Sequence, residues 1–236
     1  MENSISQIAS LIGEPVRAKI LWSLLDGRAY TARELAIGAD TTPQNLSMHL
    51  GKLLRAGLLT VEIQGRHRYY TFSREEVAYA IEAMANLVPV QQMTRPDPDT
   101  VPIKFCRTCY DHLAGKVGVL ITESLLQQKL IVYRDRAQDT TSNGGRDRSL
   151  DTTSKGMGWF AKNGIDCEVL KLQRRSFIKP CLDWTERRHH LAGALGAALL
   201  DKMLAEHWFR RTANSRAVTV TPKGAQALAT HFKIQL

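Results

Sequence analysis

The chain has no apolar run approaching the ~20 residues that a membrane span requires. It opens without the basic-then-apolar segment of a secretory signal. Four cysteines among 236 residues are too few for a disulfide framework, so a reduced, cytoplasmic setting with no membrane partner is the expectation. Enzyme signatures are missing too: there is no phosphate loop, no paired dinucleotide glycines after a strand and no serine elbow. A Cys–His pair is a conceivable nucleophile and base, but nothing else in the chain supports catalysis, and a non-enzymatic role is expected. Aromatic residues make up only 7% of the chain, yet 44% of it is hydrophobic, enough for a core in one large domain or two smaller ones.

What is present begins with charge. The net charge is +9, and its placement is uneven. Residues 1–88 carry nine Lys/Arg and nine Asp/Glu, while the remaining 148 residues hold twenty-three basic and fourteen acidic ones. Within the balanced part, Asp40–Arg74 has five basic and two acidic residues. That local excess suits a phosphate-facing surface, although a basic solvated face is a common alternative.

Hydrophobic spacing sharpens the reading. Ile5, Ile8, Leu11, Ile12, Val16, Ile20, Leu21, Leu24 and Leu25 fall at helical intervals, with Gly27 as a stop. "TARELAIGA" follows, with Thr31 as N-cap and Glu34 three residues on, a capping box. "TPQNLSMHLGKLLRAG" then starts with Thr42 as N-cap and Pro43 at the first helical position. Leu46, Leu50, Leu53 and Leu54 share one side of this helix, while Gln44, Asn45, Ser47 and Met48 lie elsewhere near its start. Two short helices joined by a tight turn, the second showing amides and a hydroxyl, suit major-groove reading. His49 sits toward the apolar face and is expected to pack or to touch backbone. "LLTVEIQ" and "HRYYTFS" are two strands around Gly65, with Arg66, His67 and Arg68 at or beside the tip. Such a wing sets cations against the DNA backbone beside the groove. Residues 1–88 therefore read as a winged helix-turn-helix; a winged helix used only for protein contacts is the alternative.

Four motifs in order, "VRAKILWSLLDG", "TARELA", "LSMHLGKLLRAGLL" and "GRHRYYTF", resemble the ArsR/SmtB family of winged-helix repressors over about residues 5–88. The resemblance implies a homodimer that binds operator DNA and releases it when an effector binds. It implies DNA contacts by Thr42, Gln44, Asn45, Ser47 and Met48, and by the wing residues Arg66, His67 and Arg68. The departures are equally informative. Family metal sensors often carry cysteines before the recognition helix, but "ELAIGAD" has none; others use His after the wing, but "REEVAYAIEAMANLV" has none. Soft metals need thiolate or imidazole, so any effector site is expected further along the chain.

"PVQQMTRPDPDTVP", residues 89–102, holds four prolines and reads as an extended linker. Beyond it, residues 103–236 contain an internal repeat. "HLAGKVGVLITESLLQQKLI" starts at His112 and "HLAGALGAALLDKMLAEHWF" starts at His190, 78 positions later. A second pair of blocks, "TTSKGMGWFAKNGI" and "TVTPKGAQALATHFKI", is offset by about ten fewer residues, with the difference placed around Asn143-Gly144, a hairpin-tip signal. Each copy reads as helix, wing-like hairpin, helix. The expected fold class is mainly α with β-wings (α+β): a winged helix-turn-helix followed by a duplicated sensor and dimerisation domain. Long ArsR-type regulators have a C-terminal region similar to this one, including a "CLDWTERRHHLAG"-like segment.

Gly115 with Gly118, and Gly193 with Gly196, make small-residue seams. Read as packing, they only let helices approach; read functionally, they bring His112 and His190 toward one axis. The cysteines lie beside them. "CRTCYDH" supplies Cys106, Cys109 and His112, and "CLDWTERRHH" supplies Cys181, Asp183, His189 and His190. Cys106-x-x-Cys109 has knuckle spacing without the second pair a zinc knuckle needs. Thiolate and imidazole together suit Zn, Ni, Co or an As(III)-like thiophile, so Cys109, His112, Cys181, Asp183 and His190 form a candidate metal set. Inert packing with no cofactor is the alternative. A third reading is an organic effector held among the C-terminal aromatics Trp159, Phe160, Phe177, Trp184, Trp208 and Phe209. The expected function is a sequence-specific transcriptional repressor that binds double-stranded operator DNA. The alternative is a Cys/His-dependent metal or thiol sensor whose C-terminal domain has a binding or enzymatic role independent of DNA.

Overall fold

Glu14 and Pro15 divide the first apolar run into two helices, α1 (Glu2–Gly13) and α2 (Pro15–Ser23). Pro15 lacks the N–H that continuation would use, and the Glu14 carboxylate accepts from the Val16 and Arg17 N–H groups at the new N-terminus. A 3-10 turn (Leu24–Asp26) follows and closes at Gly27, whose φ of 75° lies in the left-handed region glycine tolerates. These features belong to a computed structural model that describes residues 2–88, 101–135, 148–213 and 215–236. The proline-rich stretch 89–100 and Asn143-Gly144 lie outside the described residues.

The expected capping box is present at α3 (Ala32–Gly38): Thr31 accepts from the Glu34 N–H, and the Glu34 carboxylate accepts from the Thr31 N–H. α4 (Pro43–Arg55) starts on the Thr42 cap with Pro43 in its first turn. Leu46, Leu50 and Leu53 are buried on one face of it. Each such leucine contributes about 1.5–3 kcal/mol by leaving water. β2 (Leu59–Gln64) and β3 (His67–Phe72) form the expected hairpin, paired from Leu59↔Phe72 to Gln64↔His67. A two-residue strand that the spacing did not signal, β1 (Tyr30–Thr31), adds to β3, giving the order β1-β3-β2. α5 (Glu75–Ala85) completes this set.

The chain divides into two compact units. The first is Met1–Thr94 with two short later segments, Thr108–Tyr110 and Ala213–Arg216. Within it the Tyr110 N–H donates to the Leu25 carbonyl at 2.7 Å, and the Tyr110 ring meets Phe72 edge-on. Arg216 pairs with the buried Glu82 carboxylate at 2.7 Å and lies over the Trp22 ring.

The second unit is Arg95–Arg107, Asp111–Thr212 and Ala217–Leu236. After α6 (Val101–Phe105) the chain runs through a hairpin of β4 (Arg107–Cys109), whose last two residues count with the first unit, and β5 (His112–Ala114), then α7 (Gly115–Gln127), a hairpin of β6 (Ile131–Asp135) and β7 (Arg148–Thr152), and α8 (Ser154–Lys162). Short α9 (Cys167–Lys171) follows. The same order then recurs: β8 (Lys179–Leu182) with β9 (His189–Ala192), α10 (Gly193–Ala205), β10 (Phe209–Arg211) with β11 (Val218–Val220), and α11 (Pro222–Phe232). Each half thus carries a leading hairpin that the helix-hairpin-helix reading lacked. The leading strands are three or four residues long, too short for alternation to show. Phe160, Trp208, Phe209 and Phe232 sit in the core of this unit with the leucines of α7 and α10.

The glycine seams are close contacts. A Cβ on Gly118 would lie 2.6 Å from the Leu113 carbonyl oxygen and 3.7 Å from the His190 Cβ. On Gly196 it would lie 2.5 Å from the Leu191 carbonyl oxygen and 3.3 Å from the His112 Cβ. Each helix therefore packs on its own leading hairpin and on the other half's histidine.

Candidate DNA-binding surface and a cysteine–histidine cluster

The recognition surface is built by burying one face of α4. With Leu46, His49, Leu50 and Leu53 inside, the helical period leaves Gln44, Ser47 and Met48 exposed. Thr42 is exposed as well, and its hydroxyl accepts from the Asn45 N–H. Asn45 differs from its neighbours: it is half-buried, and its side-chain amide donates to the Thr41 hydroxyl at 2.8 Å. Ser47 donates to the Pro43 carbonyl, leaving its oxygen able to accept. His49 packs as expected, but its partner is a side chain, the Glu14 carboxylate at 3.1 Å. Glu14 also lies 3.5 Å from Arg17, so this carboxylate joins the start of α2 to α4. Burial would raise the Glu14 pKa; hydrogen bonds from the Arg17 and Val16 N–H groups, with His49 and Arg17 nearby, hold it below the ordinary value.

Gly65 and Arg66 form the two-residue wing turn, and Gly65 takes a φ of 60°. Arg66, His67 and Arg68 are all exposed at this tip.

The second constellation is assembled by the two leading hairpins. A two-residue turn, Tyr110-Asp111, joins β4 to β5, which sets Cys109 directly across from His112. In β8–β9, Cys181 is directly across from His190. One ligand atom from each of Cys109, His112, Cys181 and His190 lies within 4.8 Å of every other. Both histidines are fully buried, Cys109 is 1% exposed, and Cys181 is half-buried. The rings of His112 and His190 are tilted by 31°, and their Nε2 atoms are 3.2 Å apart.

Asp183 does not join this set as a ligand, contrary to expectation. Its Oδ2 takes Arg107 at 2.9 Å and the Gly115 N–H at 2.7 Å, and its Oδ1 takes the Thr185 and Glu186 N–H groups. The Thr185 hydroxyl also donates to Oδ1, and Oδ2 lies 3.3 Å from the far ring nitrogen of His190, Nδ1. Asp111 does the same for His112, 3.0 Å from its Nδ1, while also pairing with Arg175. Burial would raise both carboxyl pKa values; for Asp111 the hydrogen bonds from His112 and Arg175, and for Asp183 those from His190 with the Arg107 charge, hold them below the ordinary carboxylate value. Asp111 and Arg175 escaped the sequence reading, although Asp111 adjoins His112 in "CRTCYDH". Cys106 points elsewhere into the core, and burial pushes its thiol up to about 12 despite the Arg107 charge.

The C-terminal aromatics make ring and cation contacts with one another and with their neighbours. Trp159 meets Phe160 and Phe232 edge-on, Trp208 stacks on His231, and Trp184 lies against the Arg107 guanidinium. The void at the glycine seam, lined by Leu113, Gly118, Leu191 and Gly196 among others, is about 10 Å³. That admits one water at most. No helix among the described residues is long and apolar enough to cross a membrane.

Comparison with known proteins places these features. A helix-turn-helix domain family matches residues 12–62. The chain is 40% identical over 238 residues to an uncharacterized HTH-type transcriptional regulator, YdfF, of Bacillus subtilis (strain 168), covering 100% of both chains. It is 28% identical over 95 residues to the HTH-type transcriptional regulator CmtR of Mycobacterium bovis, covering 40% of this chain and 80% of that one. Among solved structures, HlyU from Vibrio cholerae N16961 aligns at 28% identity and a TM-score of 0.34, over 36% of this chain and 92% of its own. The winged helix at its N-terminus and the full-length relative together show that this chain belongs to the HTH-type transcriptional regulators.

Proposed function

We propose that this regulator is a homodimeric repressor whose hold on a palindromic operator is changed by an effector taken up in the C-terminal unit. The observation that carries the DNA half is the face of α4: Gln44, Ser47 and Met48 exposed near its start, opposite buried leucines and beside a wing tipped by Arg66, His67 and Arg68. Gln44 is the residue suited to bidentate pairing with adenine, and Met48 to apolar contact with a thymine methyl. Asn45 serves the helix start through Thr41 and must release that bond to reach a base. Arg66 and Arg68 act on phosphate. A dimer is supported by exposed apolar side chains on the flanking helical segments, Ile5 on α1 and Met84, Leu87 and Val88 at and after the end of α5. Two copies related by a twofold would present two α4 helices to half-sites one helical turn apart.

The C-terminal unit reads as a duplicated domain, supported by the repeated element order and the matched glycine contacts. The glycine seam itself is nearly filled and leaves no room for a large organic ligand at that place.

The test is selection of binding sites from random duplexes by the purified full chain, followed by fluorescence anisotropy on the selected and scrambled sites. Enrichment of an inverted repeat, bound roughly 10³-fold or more tighter than scrambled DNA, is expected. Equal affinity for both would refute operator reading.

A further inference from the structure

We infer that Cys109, His112, Cys181 and His190 form a closed tetrahedral Cys2His2 centre for a zinc-type divalent ion. This inference deepens the effector reading by naming the class of ligand, and it stands at positions other than those "ELAIGAD" and "REEVAYAIEAMANLV" would offer.

Distance is the first argument. Around a tetrahedral ion with bonds of about 2.0–2.1 Å to nitrogen and about 2.3 Å to sulfur, two nitrogens sit about 3.3 Å apart and two sulfurs about 3.8 Å apart. The observed Nε2···Nε2 separation is 3.2 Å, and all four donor atoms fall within 4.8 Å of one another. The set takes one Cys–His pair from each half.

Proton placement is the second. A carboxylate can only accept, so a hydrogen bond to it requires a proton on the ring nitrogen. His112 Nδ1 faces Asp111 and His190 Nδ1 faces Asp183. With the carboxylates on the Nδ1 side, both rings turn Nε2 toward each other. At that distance the two nitrogens share either a proton or a metal ion, and a metal ion also takes in the two sulfurs beside them. The carboxylate–histidine arrangement is also the one that orients imidazole toward a metal.

Charge is the third. Two thiolates neutralise a divalent ion. The two supporting carboxylates are each balanced separately, Asp111 by Arg175 and Asp183 by Arg107. The centre can therefore sit among fully buried groups without an uncompensated charge. Two thiolates are one too few for a trivalent arsenic site, and four converging protein donors leave no open position for catalysis.

The test uses the reduced, chelator-treated full chain titrated with Co(II), then Zn(II), with metal content measured after desalting. One Co(II) per chain is expected, with tetrahedral ligand-field bands and thiolate charge transfer, both abolished by Zn(II). Cys181→Ser, at a half-buried position that tolerates a hydroxyl, should lose the charge-transfer intensity of one thiolate and stoichiometric retention of metal. Asp111→Asn, which touches the metal only through His112, should weaken binding roughly 10–100-fold. Cys106→Ala should bind as the parent does. A featureless Co(II) titration of the folded parent, or an unchanged spectrum in Cys181→Ser, would overturn the assignment. Operator binding by the same chelator-treated protein separates the two readings: absent cobalt bands with intact operator affinity reject the metal alone, and the reverse rejects the repressor.

Discussion

His112 and His190, 78 residues apart in the chain, face each other through their Nε2 atoms across 3.2 Å in a fully buried site. Gly118 and Gly196 make that meeting possible, because each passes against the backbone of its own leading hairpin and beside the Cβ of the other half's histidine. A side chain at either position would push a helix off its hairpin and separate the rings.

The seam glycines should therefore be intolerant. Gly118→Ala or Gly196→Ala places a Cβ within 2.6 or 2.5 Å of a backbone carbonyl oxygen, a clash that costs on the order of 1–3 kcal/mol. A Cβ added to Gly158, in α8, would meet nothing within 4 Å, so Gly158→Ala should be neutral or stabilise by up to about 1 kcal/mol. Urea midpoints of the three variants provide the measurement, and equal midpoints would contradict the close approach.

On the recognition helix the two amides should behave differently. Gln44→Ala should cost about 1–3 kcal/mol on the selected operator and little on scrambled DNA. Asn45→Ala should act mainly through the helix start, lowering stability by up to about 1 kcal/mol as the bond to Thr41 is lost. Anisotropy and thermal melts on both variants decide the matter; a larger operator-specific loss for Asn45→Ala would reverse the assignment.

The wing should work through charge alone. Replacing Arg66 and Arg68 with Ala should weaken specific and scrambled sites alike and flatten the dependence of log K on log salt by roughly one unit per lost contact. An unchanged slope would remove the wing from the interface.

Cys106 should be protected from alkylation while folded. Its thiol is pushed from an ordinary value near 9.0 up to about 12 by burial. A raised folded value means that its contribution to stability is complete below about pH 9 and is lost as pH rises toward 12. Iodoacetamide at pH 8, followed by peptide mass spectrometry, should leave Cys106 unmodified in native protein and label it in urea. Labelling at equal rates in both would show that the site opens readily.

Much of the first unit was legible residue by residue, because its signals are local. Thr31 with Glu34, Thr42 with Pro43, and the 3.6-residue leucine spacing of α4 each act over one or two turns of backbone, so the chain itself announces them. The exposure of Gln44, Ser47 and Met48 follows from that period alone. The repeat from His112 to His190 was equally visible as a pattern of letters. Tertiary structure decided what local spacing cannot encode: that Asn45 turns inward to Thr41, that Asp183 spends its oxygens on Arg107 and Gly115 and supports a histidine, and that Asp111 matches it from the other half. It also decided that Cys109 and Cys181 sit across short strands from His112 and His190. Those strands are held by pairing and burial between distant segments, and only the folded chain brings their side chains together.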